Sequence, residues 1–453
     1  MNTLEFFRNL IEASNRGEAR GIYSICSAHE RVILAAMAQA RADDLPLLIE
    51  STANQVNQFG GYTGMSPPAF RESVLGLAAR VGFPDALLIF GGDHLGPYPW
   101  RGEAADPAMR KACELVAACV QAGYTKIHLD ASMPLGGDDV DGAGGLPAEV
   151  AARRQARLAA AAEAAFAGSG RAAARGLTGG RAGAAAGAPP VYVIGTDVPP
   201  PGGARGQDAA VPVTTVEEFE RTVAVCEAEF SAAGLEDAWG RVIAVVVQPG
   251  VEFGDHLVYE YDPARAAQLI AAARAHSGLV LEGHSTDYQR AELLRRLVED
   301  GVAILKVGPA LTFAMRECLF ALESIEKELL GGSYKARLSE LGLFLDKAMA
   351  DNPQHWRGYY SGNAQELYVA RKYSLLDRSR YYWRTPMVQE AVQRLAQNLR
   401  QTKIPLTLIS QYLPRHYLSV RRGRLSPDPE ALIEAGIRLV LEDYSMAVTP
   451  GGS

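Results

Sequence analysis

Several short apolar runs in this chain end in residues that can hold a metal or move a proton. The most telling is Ile89-Phe90-Gly91-Gly92-Asp93-His94-Leu95-Gly96-Pro97, where an apolar strand over 86–90 meets two glycines and then an Asp-His pair. Glycine lacks a Cβ, so Gly91 and Gly92 allow a sharp turn or the close approach of a ligand. A neutral imidazole can ligate a divalent metal while the adjacent carboxylate moves a proton. The competing reading is a strand-end loop with a surface histidine. Other runs end in a similar way: His128-Leu129-Asp130, Gly195-Thr196-Asp197, Gln248-Pro249-Gly250-Val251-Glu252, Glu282-Gly283-His284-Ser285-Thr286-Asp287 and Lys306-Val307-Gly308.

The elements that must position these groups follow one pattern. Apolar runs fall at 21–26, 45–50, 86–90, 125–130, 191–195, 241–247, 279–282 and 302–307, and helical periodicity follows each. The sixth run is uninterrupted and β-branched, as a strand buried on both faces should be. Eight buried strands, each trailed by a helix, predict a (β/α)8 TIM barrel over 1–333. A doubly wound sheet would want a Gly-x-Gly-x-x-Gly fingerprint after the first strand, and none is there. Residues 168–190 are nearly all Gly, Ala and Arg and read as a flexible insertion without catalytic residues. Residues 334–453 read as a helical extension in which aromatics such as Tyr381, Tyr382 and Trp383 serve as core.

Composition narrows the function classes. The 453 residues carry a net charge of -7 and 48% hydrophobic side chains, which is ordinary for a soluble domain and argues against a nucleic-acid binder. The five cysteines are scattered without a Cys-x-x-Cys pair, so reduced thiols are expected rather than a zinc ribbon or disulfide framework. No signal-peptide core and no run of about eighteen apolar residues is present, so a cytoplasmic protein without a membrane span is expected.

Active sites of such barrels lie at the C-terminal ends of the strands. There His94 and His284 are the expected metal ligands, with Asp197, Glu252 or Gln248 completing the shell. Asp93 and Asp130 are candidates for proton transfer, and a metal there can polarise a carbonyl and stabilise an enediolate. Lys306, Ser285, Thr286 and the backbone N–H groups near Gly308 occupy the usual barrel phosphate site. Blander readings stand beside these. His128 reads as a hydrogen-bonded core residue, Lys306 as either ligand contact or internal ion-pair partner, and Asp287 as a cap of the helix that follows it, near 288–299. Gln55, Asn57 and Gln58 can bind sugar hydroxyls or satisfy a turn. His29, His256, His276, His355 and His416 fall outside the mouth and receive no role.

These motifs resemble the Z-type, so-called non-catalytic subunit family of class II D-tagatose-1,6-bisphosphate aldolase. The resemblance is carried by Ile25-Cys26-Ser27-Ala28-His29, by Glu50-Ser51-Thr52-Ala53-Asn54-Gln55-Val56-Asn57-Gln58-Phe59-Gly60-Gly61, by Gly91-Gly92-Asp93-His94-Leu95-Gly96-Pro97 and by Lys126-Ile127-His128-Leu129-Asp130-Ala131-Ser132-Met133. It continues through 247–253, 284–288, 305–313 and 409–414, and it covers nearly the whole chain apart from 168–190. The resemblance implies a barrel related to the zinc-dependent aldolases. Asp93 matches their catalytic acid, His94 and His284 match metal ligands, and Gln248 stands for a further metal-binding histidine. Asp197 stands where that family is expected to carry Glu. Glu252 joins Asp93 and Asp130 as a catalytic candidate, since it or Asp197 can replace the lost ligand, and Asn54 and Gln55 are expected to meet a ketohexose phosphate.

The resemblance also implies a divalent cofactor, zinc first and Mn, Co, Ni or Mg otherwise. Its implied partners are a catalytic aldolase chain that this subunit supports and stabilises, and further copies of itself. The alternative is a stand-alone 4-epimerase that interconverts fructose 6-phosphate and tagatose 6-phosphate by retro-aldol cleavage and re-addition. A kinase is not expected, because no Walker loop accompanies the barrel.

Overall fold

The structure is a computed structural model that describes residues 2–139, 146–174, 188–195, 211–332 and 337–450. Its barrel strands are β1 (Ile22–Ile25), β2 (Leu47–Thr52), β3 (Leu88–Leu95), β4 (Lys126–Leu129), β5 (Val191–Gly195) and β6 (Val242–Val247). A two-residue hairpin follows, β7 (Glu252–Phe253) with β8 (Val258–Tyr259), and then β9 (Val280–Gly283) and β10 (Val302–Val307) complete the barrel. The order β1-β10-β9-β6-β5-β4-β3-β2 closes on itself with every barrel pair parallel, and helices surround it, as in a TIM barrel.

Strand alternation sets what fills the barrel. The lowest inward positions are apolar: Ile22, Leu48, Ile89, Val191, Ala244, Val280 and Ile304. Phe7, Leu10 and Ile11 of the amphipathic helix Thr3–Asn15 pack on this layer, so the N-terminal helix closes that end and leaves the opposite mouth open. Higher along the strands several inward positions are polar, Glu50, Lys126, Glu282 and Lys306, with Gly91 between Glu50 and Lys126, while Val193 and Val246 stay apolar. One step higher stand Asp93, His128 and His284.

The third strand corrects the sequence reading. It starts at Leu88 and runs through Leu95, so Gly91, Gly92, Asp93 and His94 lie within it rather than in a loop beyond Phe90. The glycines provide room, not a turn. Gly91 is level with Glu50 on one side and Lys126 on the other, and a Cβ on it would stand 2.7 Å from Glu50 Oε1. With no side chain there, Glu50 reaches across β3 to Lys126 Nζ at 2.5 Å. Gly91→Ala is therefore expected to cost about 1–3 kcal/mol by overpacking, measured by thermal or denaturant unfolding; unchanged stability would contradict this account of the glycine.

The helix expected over 147–167 runs from Ala148 to Ala174, into the Ala/Gly-rich stretch; 175–187 lie outside the described residues. Beyond residue 337 the described residues hold helices and turns and no strand. The last helix, Pro429–Val448, packs on the barrel helices Glu30–Ala42, Ala291–Glu299 and Pro309–Leu330. Arg31 clamps it by pairing both oxygens of Glu430, at 2.7 and 2.8 Å. Among the described residues no helix is long and apolar enough to cross a membrane, and the five cysteines are unpaired.

Candidate active site

At the open mouth the three inward histidines converge. Ring centroids of His94 and His128, His94 and His284, and His128 and His284 lie 5.0, 4.8 and 5.2 Å apart. Ligand-capable atoms of Asp93, His94, His128 and His284 all fall within 4.8 Å of one another. Each imidazole has a carboxylate on one nitrogen. His94 Nδ1 is 3.1 Å from Asp130 Oδ2, His128 Nδ1 is 3.2 Å from Asp93 Oδ1, and His284 Nε2 is 3.0 Å from Glu282 Oε1. Carboxylates placed in this way fix ring orientation and tautomer and make the opposite nitrogen a better ligand. Asp130 is itself held by Ser132, whose N–H and Oγ donate to Oδ1 at 3.1 and 2.7 Å.

His128 is a buried, hydrogen-bonded residue as the core reading has it, through Nδ1, but its other nitrogen stands apart. It is fully buried, yet its Nε2 has no hydrogen-bond partner among the described residues. An orphaned buried nitrogen is costly in a hydrogen-bonded core. His128 Nδ1 accepts the His94 backbone N–H at 3.2 Å, and an unpartnered second nitrogen grouped with two further imidazoles suits a divalent ion once deprotonated; three histidines are a known zinc donor set. The residues present fit the metal. His94 has a φ of 46° and Ser285 one of 53°, both in the left-handed region, and strain of this kind gathers at functional mouths.

Beneath the histidines lies a buried ionic layer. Lys126, wholly inaccessible, sits 2.5 Å from Glu50 and 2.7 Å from Glu282. Lys306 pairs with Glu50, with Asp93 at 2.8 Å and with Glu282 at 3.4 Å. Burial pulls Lys306 down to about 8. Burial alone would raise Asp93, but His94, His128 and His284 around it outweigh that and hold its carboxyl far below the usual range.

The mouth opens into a cleft of about 1220 Å3 lined by Asp93, His94, His284 and Lys306 below and by Asn54, Gln55, Ser285 and Gly308 at the sides. The structure thus brings together Asp93, His94, Asp130, His284 and Lys306, and adds His128, Glu50, Lys126 and Glu282. Other expected groups are engaged elsewhere. Gln248 Oε1 accepts from the N–H groups of Gly250 and Val251, and Glu252 Oε1 from Phe253 N–H; among the described residues Glu252 is not one of the clustered metal-capable groups. Asp197 lies outside the described residues. Thr286 Oγ1 donates to the carbonyl of Lys306, and Asp287 Oδ1 takes the N–H groups of Gly308 and Ala310, so it caps the helix that begins at Pro309 and not the helix Ala291–Glu299 that follows it. Asn57 serves its own turn through the N–H groups of Phe59 and Gly61.

The helical extension forms the far wall of the cleft. His355, Tyr359, Arg378, Arg380, Tyr381 and Arg384 line it, although the sequence placed His355 outside the mouth and Tyr381 in the core. Tyr382 and Trp383 are core, with 3% and 4% exposure.

A sequence profile for the family described as "D-tagatose-1,6-bisphosphate aldolase subunit GatZ/KbaZ-like" matches residues 7–449. The chain is 44% identical to D-tagatose-1,6-bisphosphate aldolase subunit GatZ of Salmonella gallinarum, over 98% of this chain and 99% of that one. The corresponding Salmonella enteritidis subunit matches to the same extent. A crystal structure of a "probable tagatose 6 phosphate kinase" from Sinorhizobium meliloti 1021 superposes with a TM-score of 0.83 at 43% identity, covering 94% of this chain and 100% of that one.

Proposed function

The chain belongs to the GatZ/KbaZ-like family of D-tagatose-1,6-bisphosphate aldolase subunits, and from that premise we propose that it acts in ketohexose-phosphate metabolism of the cytoplasm as the partner of a catalytic aldolase chain. We further propose that it holds a divalent metal, zinc first, on His94, His128 and His284, and so carries aldol-type chemistry of its own. The observation that carries the second part is the buried, partnerless Nε2 of His128 facing two further imidazoles, each braced by a carboxylate. A subunit with a purely supporting role has no use for such a cluster at the floor of a large cleft.

When bound, the metal would polarise the ketose carbonyl and favour cleavage of the neighbouring C3–C4 bond. The chain's own residues supply the rest. Cleavage requires a base for the C4 hydroxyl proton, and re-addition returns that proton. Asp93 lines the cleft, and its Oδ1 is engaged by Lys306 and His128. Its Oδ2 meets only the longer contacts of Cys26 Sγ at 3.6 Å and His94 Nε2 at 3.8 Å, and is the oxygen assigned to move the proton. His94, His128 and His284 keep Asp93 ionised, and Asn54 meets a sugar hydroxyl at the side of the cleft, whereas the Gln55 amide is held by the Thr52 N–H and the Cys26 carbonyl. Re-addition to the opposite face of the aldehyde would invert C4, which is why the intact cluster favours a second reading as a fructose-6-phosphate/tagatose-6-phosphate 4-epimerase. The name of the Sinorhizobium protein does not lead here to a kinase, for want of a phosphate-binding glycine loop in the sequence.

The test uses the purified full chain with added divalent metal and fructose 6-phosphate. Tagatose 6-phosphate that disappears on adding a chelator is the expected result. No product from a folded, metal-loaded sample would return all the chemistry to the partner chain.

A further inference from the structure

The phosphate site expected at the ends of the last two strands is largely engaged. Lys306 is neutralised by three carboxylates, Thr286 bonds a carbonyl, and the Gly308 and Ala310 N–H groups are held by Asp287. Of the expected groups on the cleft wall, only the Ser285 side chain shows no such partner among the described residues. A phosphoryl group brought into this cleft must find its countercharge elsewhere.

The extension provides it. Arg378 and Arg380 line the cleft, and no carboxylate among the described residues lies within 4.0 Å of either guanidinium. Arg378 is 5% exposed, with Nε donating to His355 O at 2.6 Å and its guanidinium 3.7 Å from the Tyr359 ring centroid. Arg380 is fixed by the carbonyls of Leu376 and Asp377, and its Nη2 donates to the Tyr381 hydroxyl at 3.2 Å. Tyr381 stacks on His355 at 4.6 Å and 9°, which holds the ring in place. The acidic residues on the cleft wall, Asp93 and Asp287, already have partners. Two buried or half-buried arginines without a carboxylate and held by carbonyls and rings form a preorganised anion subsite.

We propose that Arg378 and Arg380, with the Tyr381 hydroxyl, bind the phosphomonoester of the substrate, so that the helical extension is part of the active site. This rests on the ketohexose-phosphate reading above and names the residues that select a phosphorylated sugar.

The experiment is calorimetric titration of the metal-loaded full chain with inorganic phosphate, with fructose 6-phosphate and with fructose. Arg380→Gln is expected to weaken phosphate and fructose 6-phosphate about tenfold or more, the scale of one charged hydrogen bond. Fructose binding and metal content should not change. Arg378→Lys tests the buried member while keeping the charge, and is expected to weaken both anions because Lys cannot offer the planar fork. Thermal midpoints confirm that each variant is folded. Phosphate affinity within twofold of the unaltered chain in both variants would overturn the proposal. So would an equal loss in Arg101→Gln, an exposed arginine elsewhere on the cleft wall, because that would show a diffuse field rather than a site. No phosphate binding by the unaltered chain would overturn it as well. A chain that binds phosphate through Arg378 and Arg380 but holds no metal would sink the aldol-type reading and leave this subsite standing.

Discussion

Replacing His128 with alanine is expected to strip bound divalent metal from the protein as completely as His94→Ala or His284→Ala. The three rings share one feature, a carboxylate on one nitrogen, and their ligand-capable atoms fall within 4.8 Å of one another. Losing a braced partner alone costs about 10–100-fold in metal affinity, so losing a ring should cost at least that. Asp130→Asn is the graded control, because it leaves His94 in place and removes the charge that orients it. Metal per chain after dialysis, with competition against a chromophoric chelator, measures both. If His128 were merely a core residue, His128→Ala would lower stability and leave metal affinity unchanged, and that result would sink the ligand assignment.

The second large effect is on stability. Lys126→Met should destabilise the protein by about 3–5 kcal/mol, the usual result of removing one member of a buried ion pair. Lys126 is wholly inaccessible between Glu50 and Glu282, and without it those carboxylates share only Lys306. Replacement by a methylene chain of similar length keeps the volume, so the cost reports charge. A pH signature separates this from a packing defect. Burial would raise Glu282, but Lys126 and then His284 outweigh it and bring it down to about 2, against an ordinary 4.5. A depressed carboxylate gives its full stabilisation above 4.5 and loses it as the pH falls towards 2. In Lys126→Met the Glu282 value rises towards 4.5, so less stability remains to be lost below pH 4.5 and the fall should be shallower. Thermal midpoints between pH 7 and 3 test this; parallel curves for the two proteins would assign the defect to packing.

Much of the barrel was legible because its strands are continuous apolar runs, and a strand buried on both faces has little else to be. β5 and β10 fall where the sequence put them, and β3 does not, because two glycines in a strand look like the turn that ends one. Asp93, His94 and His284 were legible as polar residues at the tops of such runs. His128 was read as a core residue although Lys126, His128 and Asp130 alternate along one chain segment, a spacing that turns all three the same way. A lone histidine inside a strand gave no sign of what it faced. Gln248 and Glu252 looked like ligands from spacing alone, and only coordinates show their oxygens held by neighbouring N–H groups. Arg378 and Arg380 lie about seventy residues beyond the last strand, so no local pattern could bring them to the barrel mouth.

The central claim is that the three imidazoles hold one divalent ion. The most direct measurement is a crystal of the zinc-loaded protein, with diffraction data collected on both sides of the zinc absorption edge. The account predicts a single strong anomalous peak bounded by His94 Nε2, His128 Nε2 and the His284 ring, with Asp93 beside it. No peak there, or a zinc bound only at surface residues, would contradict it.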